Sequence, residues 1–250
     1  MQMYQYSGTM KLTAILLLIV FLYGCKKEIT VSGDAAYVSF MNAVAGVQPL
    51  SVYIDTAFIV RVPYQTSYRN VQLNLRLGFV SIRDSARSKI LLNMPVQEFE
   101  NNTSSTIIIF DTLRAIDSTV KAIRLSDDLT LAPNGFVKVR FINAAPLMSP
   151  VDVTFVRTSI TPFDSLTFSS QSYIGNGANV QSLSAFNNIP IGAYTLKIKK
   201  AGTQDTIMNT VKLTVSNLAG VAGISGISTF YLTGGVRGKR LEVGSLRHYP

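Results

Sequence analysis

The stretch Val137-Lys138-Val139-Arg140-Phe141-Ile142-Asn143-Ala144 governs the reading of the whole chain. Val137, Val139 and Phe141 alternate with Lys138 and Arg140. A pleated strand turns successive side chains to opposite faces, so this alternation predicts one apolar and one charged face. The same pattern occurs earlier in the chain. Tyr37-Val38-Ser39-Phe40-Met41-Asn42-Ala43 matches Lys138 to Ala144 at an offset of 101 residues. Pro49-Leu50-Ser51-Val52 matches Pro150-Val151-Asp152-Val153 at that same offset. Leu77-Gly78-Phe79-Val80-Ser81-Ile82 then matches Ile191-Gly192-Ala193-Tyr194-Thr195-Leu196 at an offset of 114. The register predicts two copies of one domain-sized unit, with about 13 extra residues in the second, placed in the Ser-, Thr-, Gly- and Asn-rich segment 159–179.

Outward from that stretch the period stays at two. Val151, Val153 and Phe155 alternate with Asp152 and Thr154, and Tyr194, Leu196 and Ile198 with Thr195, Lys197 and Lys199. Val211, Leu213 and Val215 alternate with Lys212 and Thr214. These runs predict half-buried antiparallel strands. Ile107-Ile108-Ile109-Phe110 and Phe230-Tyr231-Leu232 are solidly apolar and suit central strands. Asn101-Asn102, Pro133-Asn134-Gly135, Gly175-Asn176-Gly177 and Gly234-Gly235 punctuate the runs as turns. No segment after residue 25 reads as an amphipathic helix. The fold class expected is all-β, with a sandwich or barrel in each copy. The domains expected are 34–130 and 131–250, joined by a connection at 126–135 too short to let them drift apart.

The first residues read as an address. After Lys11, an apolar run from Leu12 to Leu22, broken only by Thr13, has the ~7–15 residue length of a signal-peptide core and is short of the ~20 residues of a membrane-spanning helix. It stops at Leu22-Tyr23-Gly24-Cys25, which resembles the cleavage box of a lipoprotein leader, although Tyr23 replaces the usual small residue. The expectation is a signal peptide at 1–24, a lipid on Cys25 and a tether at 25–33. Met10-Lys11 also looks like a start, which would leave 1–9 untranslated. Lys26-Lys27-Glu28 supplies no Asp beside Cys25, which favours the outer membrane and leaves the exposed face open.

Composition removes several chemistries. The chain has one Cys and one His in 250 residues, so it forms no internal disulfide, and its stability must come from packing. One His cannot seed a zinc site, and His248 lies two residues from the end, where a mobile tail is expected. With Cys25 given to lipid, nucleophile–His catalysis has no partners, and the chain is expected not to be an enzyme. Asp127-Asp128 reads as a solvated turn, since neighbours in extended chain point opposite ways. Gly220, Gly223 and Gly226 lack the spacing of a phosphate-cradling loop, and no cofactor is expected.

The net charge of +9 is unevenly placed. Residues 25–130 carry 11 Lys and Arg against 10 Asp and Glu, whereas 131–250 carry 11 against 4. If their strands share a sheet, Lys138, Arg140, Lys197, Lys199 and Lys212 form a cationic face suited to an acidic polysaccharide or lipid phosphate. No aromatic residue is interleaved with these charges, which argues against nucleic acid. Tyr53, Tyr64, Tyr68 and Tyr173 lie in or near turns, where each could stack on a sugar or cap a core.

Val139-Arg140-Phe141-Ile142-Asn143-Ala144-Ala145-Pro146, followed by Pro150-Val151-Asp152-Val153, resembles the family known as domain of unknown function 4397. Leu125-Ser126-Asp127-Asp128 before Gly135 is similar to that family's junction between tandem copies. The first copy departs from the pattern at Val44-Ala45-Gly46. The resemblance implies immunoglobulin-like sandwiches on a secreted or lipid-anchored Gram-negative surface protein, and it brings no catalytic motif. The function expected is a non-catalytic envelope lipoprotein that binds or adheres at the surface, with acidic glycan as a candidate ligand. The rival is an accessory subunit packed against another envelope protein.

Overall fold

The computed structural model describes residues 35–45, 49–74, 76–86, 89–112, 120–158, 165–215, 226–236 and 238–248, with backbone only over 209–215. The expectations for 1–33, including Cys25, and those for Gly220 and Gly223 lie outside the described residues.

The first eight strands are β1 (Ala36–Asn42), β2 (Leu50–Ile54), β3 (Ala57–Val62), β4 (Ser67–Leu73), β5 (Leu77–Asp84), β6 (Ile90–Glu98), β7 (Ser104–Phe110) and β8 (Lys121–Ser126). The next eight are β9 (Phe136–Asn143), β10 (Val151–Arg157), β11 (Ser165–Gln171), β12 (Asn187–Pro190), β13 (Gly192–Lys200), β14 (Thr206–Val215), β15 (Ile227–Thr233) and β16 (Glu242–His248). A 3-10 turn at Ile174–Asn176 and a short helix α1 (Val180–Ser184) stand between β11 and β12. They form four four-stranded sheets: an inner β4-β1-β7-β8 and an outer β3-β2-β5-β6, then an inner β12-β9-β15-β16 and an outer β11-β10-β13-β14. Adding eight to each strand number converts the first pair of sheets into the second.

In each half the alternation packs inner against outer sheet. Val38, Phe40, Ile107 and Ile109 meet Val52, Val80 and Ile82 in one core. Val139, Phe141, Phe230 and Leu232 meet Val153, Phe155 and Leu196 in the other. A third core lies between the inner sheets, where Met41, Ile108, Phe110 and Leu125 pack on Ile142, Tyr231 and Leu246. The layer order is therefore outer, inner, inner, outer, and Asp34–Pro250 forms one compact unit. Each large aliphatic side chain in that third core contributes about 1.5–3 kcal/mol through burial. Strands covered on both faces lose their period of two, which is why β7 and β15 read as solid apolar runs.

The Asn of each Phe-x-Asn-Ala motif ties a strand end. Asn42 Oδ1 accepts the Val44 N–H, and Asn42 Nδ2 donates to the Val62 carbonyl. Asn143 does the same with the Ala145 N–H and the Gln171 carbonyl. Two details differ from the sequence reading. One pairing in each inner sheet is parallel, β1 with β7 and β9 with β15. After β6 the chain crosses at the end where β1 begins, with Asn102 N–H bonded to the Ala35 carbonyl, so β7 must run alongside β1. The extra length of the second half falls largely at 172–186, C-terminal to much of the expected segment, and it forms the 3-10 turn and α1. Asn179 caps α1 by accepting the Gln181 and Ser182 N–H groups.

Candidate functional site

Two regions gather polar chemistry, and they are opposite in exposure. The first lies between the inner sheets. Arg140 Nη2 donates to Asp127 Oδ1 at 2.6 Å, and Arg140 Nε donates to Thr229 Oγ1 at 2.7 Å. Thr106 Oγ1 donates to Asp127 Oδ2 at 2.7 Å. His248 Nε2 lies 2.8 Å from Thr229 Oγ1, and Nδ1 lies 3.6 Å from Asp127 Oδ2. The Arg140 guanidinium sits 4.4 Å from the Phe186 ring centroid, and the His248 ring meets the same phenyl edge-on.

Hydroxyl, imidazole and carboxylate thus stand in a row, the residue types of a nucleophile triad. Arg140 and His248 are each only 1% exposed, and Thr229 is fully buried, so no substrate can reach the hydroxyl. Burial pulls the His248 pKa down to about 4, partly offset by Asp127, and the ring is neutral at neutral pH. Burial also lowers the pKa of Arg140, opposed by the adjoining Asp127 carboxylate. At the rim, Lys138 Nζ donates to Asp128 Oδ2 at 2.7 Å and to Thr130 Oγ1 at 2.6 Å. Consecutive acids of the connection therefore clamp alternate residues of β9, and the connection is fastened to the second half.

These contacts correct three expectations. His248 is not in a mobile tail; it ends β16 and is sealed. Asp127 is not solvated. Lys138 and Arg140 do not share a sheet with Lys197 and Lys199, because β9 lies in the inner sheet and β13 in the outer one. The charged face of β9 meets the other half of the molecule, and an Arg there needs its own carboxylate. Lys197 is exposed on the outer sheet, while Lys199 is half-buried and donates to Gln204 Oε1 at 2.6 Å. Lys212 faces Thr195 in backbone register on β14, and its side chain lies outside the described residues.

The second region is the outward face of the β3-β2-β5-β6 sheet. Leu50, Val52 and Ile54 turn inward, so Ser51 and Tyr53 turn outward; Val80 and Ile82 likewise place Ser81 and Arg83 outward. Register sets Arg61 and Arg83 on either side of Ser51, and Phe58 and Ser81 on either side of Tyr53. Arg83 lies over the Tyr53 ring at 4.1 Å, and Phe58 meets that ring edge-on at 5.5 Å. Phe58 is 54% exposed and Phe79 53% exposed. A concavity of about 290 Å³ opens over Ser51, walled by both arginines, Tyr53, Phe58, Asp84 and Ser85. The Arg83 Nε is buried without a hydrogen-bond partner among the described residues, as is Ser81 Oγ. A buried donor left unpaired costs about 1–3 kcal/mol.

Two larger clefts lack free positive charge. One of about 620 Å³ beside the connection is lined by Asn70, Asn102, Thr103 and Asp128, and its two acids are held by Arg140 and Lys138. Another of about 650 Å³ contains Glu98 and Glu100, while its Arg124 bonds Ser105 Oγ and the Glu98 carbonyl and sits over Phe99.

Of the tyrosines singled out in sequence, Tyr53 stands in the open concavity and Tyr68 on the exposed β4. Tyr64 and Tyr173 have buried hydroxyls, and burial raises the pKa of both. Arg61, Arg83, Phe58 and Phe79 were missed. The alternation of Val80-Ser81-Ile82-Arg83 held the signal for one of them, but the neighbour strand that completes the site is set by topology alone. Among the described residues no helix is long and apolar enough to cross a membrane.

A search of curated proteins returns no match. The family described as Domain of unknown function (DUF4397) matches residues 36–154, from β1 into β10 and across the junction. Over residues 36–154 the chain is therefore similar to the family described as Domain of unknown function (DUF4397).

Proposed function

We propose that the chain is a non-catalytic lipoprotein of the outer membrane, anchored through Cys25, that binds acidic glycan at the cell surface. The observation carrying this reading is the layer order. It commits the inner faces to each other and leaves the two outer sheet faces for a partner. Those faces carry Lys197 on one side and Arg61 and Arg83 on the other, whereas the one hydroxyl–imidazole–carboxylate row among the described residues is sealed. The apolar run ending at Gly24-Cys25 supports the anchor.

The full chain in detergent, titrated with polygalacturonate and with neutral dextran, is expected to retain the acidic polymer alone and to release it as salt rises. Equal retention of both polymers, or of neither, overturns the binding reading. Labelled palmitate is expected on the protein and absent from a Cys25→Ser form. A second reading, an accessory subunit of an envelope assembly, draws on the exposed Leu77, Phe79 and Val96 of the outer β5–β6 pair. Co-purification with a membrane complex together with silence toward polygalacturonate would favour it.

A further inference from the structure

We infer that Arg61, Ser51 and Arg83 form the seat for a carboxylate-bearing sugar residue, with Tyr53 and Phe58 as its aromatic flank. The inference rests on the proposed glycan-binding role and places that role on one outer sheet face.

The seat is built by strand register. Ser51 on the central β2 lies opposite Arg61 of β3 and Arg83 of β5, so two guanidiniums flank the smallest side chain in the row. That size difference makes the concavity. Arg83 lies over the Tyr53 ring at 4.1 Å, with its Nε buried and unbonded. A carboxylate accepts charge-assisted N–H bonds from a guanidinium, and the side chains of Arg61 and Arg83 both line the concavity. Arg61 is exposed, and its side chain makes no hydrogen bond or ion pair within the described residues.

Two cations face one acid, Asp84, whose Oδ1 is already occupied by the Ala86 N–H. The seat therefore keeps positive charge, in contrast to both larger clefts. The row beyond carries Phe58 and Tyr53. Ring faces are negative and sugar C–H edges weakly positive, so the rings suit the body of a pyranose while the arginines take its carboxylate. A volume of about 290 Å³ falls at the small end of ligand sites and suits one sugar residue of a chain. Free phosphate shares the anion chemistry and gives the rings nothing to contact.

The test is calorimetric titration of the full chain in detergent with oligogalacturonate, its methyl ester and inorganic phosphate. The acid is expected to bind at least about tenfold more tightly than the ester, since charge-assisted hydrogen bonds carry the difference. Arg83→Gln and Arg61→Gln are each expected to weaken the acid about tenfold. Arg61 is exposed and unbonded, so its variant still tests the seat where the Arg83 variant unfolds. Unchanged affinity in Arg61→Gln and in a folded Arg83→Gln, with loss confined to Lys197→Glu plus Lys199→Glu, overturns the seat and leaves the proposed function standing. Phosphate binding as tightly as the acid overturns the sugar assignment. No binding of oligogalacturonate by the unaltered chain removes the proposed function as well.

Discussion

On β9, Lys138 and Arg140 alternate with Val137, Val139 and Phe141. On β13, Lys197 and Lys199 alternate with Leu196 and Ile198. The two patterns read alike in sequence, yet Arg140 is 1% exposed and Lys197 is open to solvent. What separates them is the layer each strand joins. The polar face of an inner strand meets the other inner sheet, so its charges must be neutralised and hydrogen-bonded. The polar face of an outer strand meets water, where an unpaired Lys or Arg costs little. The inner layer spends its charge on cohesion, and the outer layer leaves its charge in water.

The sharpest way to break this comparison is to strip a charge from the inner layer. Arg140→Ala leaves the Asp127 carboxylate buried and unpaired, and denaturant unfolding is expected to lose about 3–5 kcal/mol. Arg140→Met with Asp127→Leu removes both charges and is expected to recover most of that loss. A loss below about 1 kcal/mol for Arg140→Ala, typical of surface pairs, would place Arg140 with the outer residues.

A pH titration of stability probes the same layer. The folded chain holds His248 neutral down to about pH 4, while the unfolded chain takes up that proton near 6.5. Between those values the unfolded state binds more protons, so stability falls as pH drops from 6.5 and the loss is complete near 4. The drop is on the order of 3 kcal/mol, and His248→Gln is expected to abolish that portion. A profile flat from pH 7 to 4 would mean that the imidazole is not sealed.

Packing gives a smaller effect. Gly244 lies opposite Tyr231 across β16 and β15, and a Cβ there would stand 2.3 Å from the tyrosine ring. Gly244→Val is expected to cost about 1–3 kcal/mol through overpacking, read as a lowered Tm. An unchanged Tm would mean that the third core is loose.

The sequence carried much of the fold, for reasons visible in particular residues. The constant offset between Phe40-Met41-Asn42-Ala43 and Phe141-Ile142-Asn143-Ala144 marks strand ends that the two asparagines tie in the same way. Ile107 to Phe110 announced a strand covered on both faces. The alternation could not say which faces meet each other, because that depends on how the halves stack. Lys138, Arg140, Asp127 and His248 therefore looked solvated and are buried. The arginine seat was hidden for the same reason. Arg61, Ser51 and Arg83 come from three separated segments, and only strand pairing sets them in one row.

Scanning calorimetry of the full chain tests the shared inner core most directly. Residues 34–250 are expected to unfold in one transition whose calorimetric and van't Hoff enthalpies agree. Two separate transitions, one for β1–β8 and one for β9–β16, would contradict the account.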